Sequence, residues 1–208
     1  MHPEIEQSLV VEYEELFALA DRLHQVADGA RARLLAAGLQ EPLQTEVFDG
    51  ELELRGTQHE RLTVRLDGYH LEIAGAPPDL PTHAVAAILL DEAGIFRLTS
   101  VEMGLTMSLR AGRGRPLQLV NQAFSPVAGE GGEPMLDRRF SMTWDWGTAT
   151  TGFSFHAADT EDRELFLSFK AREGYMTLPE LSAGGWMQQQ AERFDGLVER
   201  FMRQLGWA

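Results

Sequence analysis

Residues 51–74, ELELRGTQHERLTVRLDGYHLEIA, decide the fold class. Apolar side chains recur there at every second position, which is typical of strands that are buried on one face. The three runs are Leu52 and Leu54, then Leu62, Val64 and Leu66, then Tyr69, Leu71 and Ile73. Asp67-Gly68 separates the last two runs and favours a two-residue hairpin turn. The stretch therefore predicts a three-stranded antiparallel meander.

A two-residue turn at Asp67-Gly68 also predicts how the strands pair. The expected partners are Leu66 with Tyr69, Val64 with Leu71, Leu62 with Ile73, Leu54 with Leu62, Leu52 with Val64 and Glu51 with Arg65. All apolar members then share one face, as a half-buried sheet requires.

A second meander is predicted towards the other end of the chain. Its three runs contain Phe140, Met142, Trp144 and Trp146, then Phe153 and Phe155, then Leu165, Leu167 and Phe169. A four-residue loop at 147–150 pairs Trp144 with Phe153 and places Ser141 opposite His156. The aromatic side chains again fall on one face.

The segment between the meanders is mixed. Residues 84–90 are apolar on both faces, so periodicity does not distinguish a buried strand from a short helix, and we favour a strand. Alternation from Met103 predicts a strand that reaches Arg110, and a second strand is predicted at 117–124.

Two amphipathic helices are predicted to flank these strands. Residues 4–37 carry apolar side chains at spacings of three and four, and Gly38 follows as a stop signal. The apolar positions are Ile5, Leu9, Tyr13, Leu16, Ala20, Leu23, Ala27, Ala30 and Leu34. A capping box at Thr177–Glu180 precedes a final helix from about residue 186. The apolar stripe of that helix contains Phe194, Leu197, Val198, Phe201 and Leu205.

Together these elements predict an α+β protein. Its largely antiparallel sheet is built from two β-meanders, with a long N-terminal helix and an amphipathic C-terminal helix packed on it. We expect a single domain over 1–208, with a possible sub-boundary at the proline-rich connector 76–82 and a flexible loop at 126–134.

The charge balance restricts the partners. The chain has 208 residues, of which 18 are basic and 32 acidic, giving a net charge of −14. Such a balance argues against nucleic acid and anionic membranes as partners. Cysteine is absent, which excludes disulfides, thiolate metal sites and a cysteine nucleophile. The sequence has neither a long apolar run nor a signal-like beginning, so a cytoplasmic location is expected.

Catalytic and metal-binding patterns are weak, and no cofactor is expected. No His-x-x-x-His and no Gly-x-Ser-x-Gly occurs. His70 and Glu72 share a strand face, but the expected register puts Arg65 opposite His70, which disfavours a cation there. Ser141 and His156 lack an orienting carboxylate.

The favoured function is therefore that of a non-catalytic acidic accessory protein, chaperone-like or immunity-like, which binds a basic protein partner. The first 28 residues contain seven acids against Arg22. On the expected helix, the partner-binding residues are Glu4, Glu12, Glu14, Glu15 and Asp21. The same helix could pair with a second copy in a homodimer.

The alternative is a small-molecule-binding protein or an enzyme, with an apolar pocket between a curved sheet and the C-terminal helix. Trp144 and Trp146 would line that pocket, although aromatic residues at strand spacing are more often plain core. Arg110, Arg113 and Arg115 form the densest basic cluster and would hold an anion at its mouth, unless they are a solvated loop tip.

Overall fold

The computed structural model describes residues 4–39, 43–56, 62–75, 80–110, 137–145, 149–158 and 164–204. The elements are β1 (Glu4–Tyr13), a 3₁₀ helix (Phe17–Arg22), α1 (Leu23–Ala36), β2 (Leu43–Phe48), β3 (Glu51–Gly56), β4 (Thr63–Leu66), β5 (His70–Ala74), α2 (Thr82–Ala93), β6 (Arg97–Arg110), β7 (Asp137–Asp145), β8 (Ala149–Ala158), β9 (Glu164–Thr177), α3 (Leu178–Ala183) and α4 (Gly185–Gln204).

Across these ranges the strands form one nine-stranded sheet in the order β2-β3-β4-β5-β1-β6-β9-β8-β7. Every neighbouring pair is antiparallel. The predicted α+β class and the antiparallel meanders are therefore confirmed. β1 and β6 lie between the two meanders and join them into one sheet.

The helices cover one face of the sheet, here called the inner face. Its side chains alternate along each strand and form one buried core with the apolar faces of the helices. Leu9 and Val11 of β1, Val64 of β4 and Met103 of β6 are fully buried in this core. The outer face carries the alternate, mostly polar side chains, which is the pattern expected of a sheet with one solvated face.

The helix expected over 4–37 begins thirteen residues later than predicted. Residues 4–13 form β1, and the helical part starts at Phe17 and continues through α1 to Ala36. A spacing of four is an even number, so Ile5, Leu9 and Tyr13 also share one face of a strand. Pairing with the neighbours β5 and β6 decides for the strand.

The helix predicted beyond residue 22 is confirmed. The buried positions of α1 are Leu23, Val26, Ala27, Ala30 and Leu34. Gly38 follows the helix with φ of 106°, a conformation in which glycine avoids the strain that a side chain brings.

The pairing predicted for the first meander is wrong by two residues. Leu66 pairs with Leu71 and Val64 with Ile73, and on the other side Val64 pairs with Leu54. The turn is centred on Gly68-Tyr69, since the amide of Asp67 bonds the carbonyl of His70. A shift of two preserves the face of every side chain, so the predicted apolar face is correct although the partners are not.

The second meander has the predicted strands and a similar shift in register. Met142 pairs with Phe153 and Trp144 with Thr151, and β9 is the third strand. Ser141 therefore lies opposite Ser154, and the predicted Ser141 and His156 pair is wrong. The expected strand at 117–124 and the loop at 126–134 lie outside the described residues.

Residues 84–90 belong to a helix, so the strand favoured from the sequence is wrong. α2 runs from Thr82 to Ala93, a length typical of helices, and ends at Gly94 with φ of 76°. The strand predicted from Met103 to Arg110 is confirmed within β6. Of the connector at 76–82, residues 76–79 lie outside the described part of the chain.

The C-terminal helix is confirmed. Thr177 and Glu180 form the predicted capping box at the start of α3. α4 then packs on β6 and β9 through Phe194 and Phe201, which are 1% and 5% exposed. The ring of Phe194 lies 5.8 Å from that of Phe169 on β9.

The buried hydroxyl of Thr82 in α2 is expected to lower the free energy of unfolding. Thr82 is 0% exposed, and its Oγ1 has no hydrogen-bond partner among the described residues. Because a buried unpaired hydroxyl costs about 1–3 kcal/mol, Thr82→Val is expected to raise the free energy of unfolding by about 1 kcal/mol. Urea denaturation measures the change. Thr45→Val at an exposed site of β2 is the control, and an equal gain there would show that the buried hydroxyl is not the cause.

Candidate functional site

One end of the sheet collects exposed aromatic side chains. At this end β1 and β9 finish, β6 begins, and the β2-β3 and β4-β5 turns lie. We call it the aromatic end. Its exposed rings are Phe17 (82% exposed), Phe48 (82%), Tyr69 (58%), Phe96 (58%) and Tyr175 (83%). Among the Phe, Tyr and Trp side chains whose exposure the structure describes, no other is exposed above half, so the concentration at one end is a distinct surface feature.

Asp67 builds the turn that presents Tyr69. Its Oδ1 accepts hydrogen bonds from the backbone amides of Tyr69 and His70, both at 2.9 Å. The hydroxyl of Tyr13 reaches across from β1 and donates to the Asp67 carbonyl at 2.6 Å. Burial raises the pKa of Tyr13, and the Asp67 carboxylate raises it further, so the phenol stays protonated as a donor.

The segment after β1 carries carboxylates to the same end. The amide of Leu16 donates to the Gly68 carbonyl at 2.7 Å, which fixes this segment beside the β4-β5 turn. Glu14, Glu15 and Asp21 are exposed and form no ion pair with any described residue. The aromatic rings thus lie beside unpaired negative charge.

An open hollow of about 450 Å³ lies on the outer face at the aromatic end, lined by Val10, Glu12, Tyr13, Tyr69, His70 and Thr99. Oε2 of Glu12 accepts from Ser100 at 2.8 Å and from Arg172 at 2.9 Å, while the side chain stays about half exposed. His70 Nδ1 lies 2.6 Å from Asp67 Oδ2, although the two atoms are poorly aligned for a hydrogen bond. A carboxylate beside an exposed ring is a suitable receptor for a cationic side chain.

The structure separates the five predicted carboxylates. Glu12, Glu14, Glu15 and Asp21 gather at the aromatic end, in β1, the following segment and the 3₁₀ helix. Glu4 lies at the opposite end of β1, about 26 Å away at 3.3 Å per residue. The expected shared helix face does not exist, because residues 4–13 are a strand.

The predicted ligand-binding residues are also dispersed or undescribed. Arg110 pairs with Glu164 at the far end of β6 from the aromatic end. Trp144 pairs with Thr151 in the ladder between β7 and β8. Arg113, Arg115 and Trp146 lie outside the described residues.

A smaller cavity, of about 190 Å³, lies between the inner face of the sheet and the first half of α4. Thr151 of β8, Ala171 and Glu173 of β9, and Trp186, Gln190 and Arg193 of α4 line it. Most of the residues that line it are polar.

No three His, Asp or Glu side chains are grouped for a metal ion in the described ranges. Arg65 pairs with Glu72 and not with His70, because of the two-residue shift. No helix in the described chain is long and apolar enough to cross a membrane.

The chain matches no protein-family model, and no curated protein matches it either. Its function is therefore argued from the geometry alone. The aromatic end has no continuous pattern in the sequence, because its rings come from five separate segments. A usable signal was present at two of them, since Phe48 and Tyr69 adjoin Asp49-Gly50 and Asp67-Gly68 at turns.

Proposed function

We propose that this protein is a non-catalytic accessory protein that binds an arginine-rich segment of a basic partner at the aromatic end. The observation that carries the proposal is the presence, at one end of the sheet, of exposed rings and of carboxylates that form no ion pair with any described residue. A guanidinium can stack on a ring and bond a carboxylate at the same time. The net charge of −14 would steer a basic partner from a distance.

The size of the surface fits a peptide segment. β2 ends at Phe48, and β9 ends near Tyr175. These two strands are six strand spacings of about 4.8 Å apart, or about 29 Å in all. An extended segment of about nine residues spans that length. Arg22 and Arg97 are also exposed at this end. Their positive charges would repel a cationic side chain of the partner at these two positions.

Removing the three unpaired carboxylates tests the proposal. In the triple variant Glu14→Gln, Glu15→Gln and Asp21→Asn, we expect a labelled arginine-rich peptide of about nine residues to bind about tenfold more weakly. Three exposed charges at about 0.5 kcal/mol each together contribute about 1.5 kcal/mol, close to the 1.4 kcal/mol that corresponds to a factor of ten. Fluorescence anisotropy at low and at high salt measures the affinity, which is expected to fall as salt rises.

A matched variant removes the same charge elsewhere. Glu192→Gln, Asp195→Asn and Glu199→Gln lie on the exposed side of α4 and change the net charge equally. Equal loss in both variants would show that only the overall charge matters and would contradict the proposed site. A further variant, Phe48→Ser with Tyr175→Ser, is expected to weaken binding at unchanged charge.

A second candidate function is supported by the cavity under α4. Its position between the sheet and the C-terminal helix is that of the pocket expected from the sequence. As the alternative, we propose that a small molecule binds in this cavity. Residues of β8, β9 and α4 would contact it, in place of the predicted arginine cluster. Its lining shows no nucleophile paired with a base, so binding is favoured over catalysis at this site.

A further inference from the structure

The cavity between β8, β9 and α4 gathers the polar groups of an otherwise apolar layer. Among the described residues, four polar side chains are buried: Thr82, Ser100, Thr151 and Gln190. Two of the four, Thr151 at 6% and Gln190 at 3% exposure, line this one cavity. Because a few convergent polar groups in a cavity are what orient a bound small molecule, their position points to a ligand that bonds them.

The hydroxyl of Thr151 is available to such a ligand. It makes no hydrogen bond with any residue of the described ranges. Gln190 is held in place from α4, since its Oε1 accepts from Nη1 of Arg193 at 3.2 Å. The amide and the hydroxyl are therefore fixed on opposite walls, one on the helix and one on the sheet.

Two opposite charges face the same space without neutralising each other. Glu173 and Arg193 both line the cavity, and neither forms an ion pair within the described part of the chain. Arg172 also borders the cavity, but its guanidinium is engaged with Glu12 and Ser100. A ligand that carries one positive and one negative group would satisfy both free charges.

We propose that this cavity binds a small zwitterion of the α-amino-acid class, with the carboxylate on Arg193 and the ammonium on Glu173. The volume of about 190 Å³ suits a small molecule such as a free amino acid. The half-buried indole of Trp186 forms the apolar wall against which the ligand's side chain packs. This inference rests on the second candidate function and is independent of the aromatic end.

The test uses the full chain and four defined groups of probes. These are the common free amino acids, their N-acetyl derivatives, their amides, and neutral or singly charged metabolites of similar size. We expect at least one free amino acid to raise the melting temperature and to bind by calorimetry, with the acetylated and amidated forms at least tenfold weaker. Binding of a singly charged or neutral probe alone would overturn the zwitterion while leaving small-molecule binding intact. No binding in any group would overturn both.

Variants then connect the binding to these residues. Arg193→Gln, Glu173→Gln and Thr151→Val are each expected to weaken the best amino acid about tenfold or more. Arg200→Gln and Glu192→Gln, exposed on the same helix and outside the cavity, are expected to leave the affinity unchanged. Unfolding of each unliganded variant is measured in parallel. If all the variants bind as well as the original protein, the cavity is not the site and the proposal is overturned.

Discussion

Replacing Phe194 with alanine is expected to lower the free energy of unfolding by about 4 kcal/mol, the largest effect of any substitution considered for this molecule. Phe194 is 1% exposed and anchors α4 on the inner face of the sheet. Its ring packs 5.8 Å from that of Phe169, with the planes tilted by 42°. Truncation loses the burial of the ring, leaves a cavity beneath the helix and removes the contact between the rings.

Urea denaturation followed by two spectroscopic probes measures this loss. Leu197→Ala on the same helix is the control, because Leu197 is only partly buried against the core. We expect it to cost about 1 to 2 kcal/mol, since less apolar area is lost. Equal losses in the two variants would contradict the role of Phe194 as the anchor of α4.

Gly184→Ala is expected to cost about 3 kcal/mol. Gly184 joins α3 to α4 with φ of 69°, where a side chain costs about 1–2 kcal/mol. A Cβ at this position would also lie 2.5 Å from Nε2 of His83, on the first turn of α2. Since the imidazole is a rigid ring, the two helices must shift or the ring must leave its place.

A matched glycine separates the two costs. Gly94 has a similar φ of 76°, and a Cβ there would meet no atom within 4 Å, so Gly94→Ala carries only the cost of the backbone conformation. We expect about 1 kcal/mol for it, and partial recovery of stability when Gly184→Ala is combined with His83→Ala. If Gly184→Ala and Gly94→Ala lower the free energy of unfolding equally, the contact with His83 does not contribute to the loss at Gly184.

The apolar pattern predicts which face of each strand is buried, but it leaves the register open. A shift of two residues keeps all side chains on their faces, so the period of two cannot detect it. In both meanders the true pairing differs from the expected one by that amount. The first case depends on Asp67, whose side chain bonds the amides of Tyr69 and His70 and moves the turn by one residue.

Two elements were ambiguous for different physical reasons. In β1 the apolar spacing of four fits a helix and a strand alike, and only pairing with β5 and β6 decides between them. α2 is apolar on all sides, so its sequence shows no helical period. Val85 and Leu89 face the core, and Ala87 and Ile88 are apolar too although they are only partly buried. For such segments the surrounding structure determines the outcome and local preference does not.

The candidate sites show the same limit. Composition located the acids near the start of the chain, and Glu14, Glu15 and Asp21 do lie together. Neither composition nor spacing could place Phe48 and Tyr175 at the same end of the sheet or Thr151 and Gln190 in one cavity, because those placements result from strand order and helix docking. Sequence patterns indicate which face of a strand or helix is buried. The aromatic end forms at one end of the sheet, and the cavity forms between the sheet and α4.

The central position of β1 has a consequence for how the chain reaches its fold. β1 precedes both of its partners in the chain, since β5 follows only after α1 and three further strands, and β6 follows only after β5 and α2. Pairings between segments so distant in sequence raise the contact order and slow the folding of β-rich proteins. Until β1 inserts, β5 and β6 are open edges with apolar inner faces, which favours pairing between copies of the nascent chain. Production yield is therefore expected to depend on temperature and chaperone supply more steeply than the stability of the finished molecule would suggest.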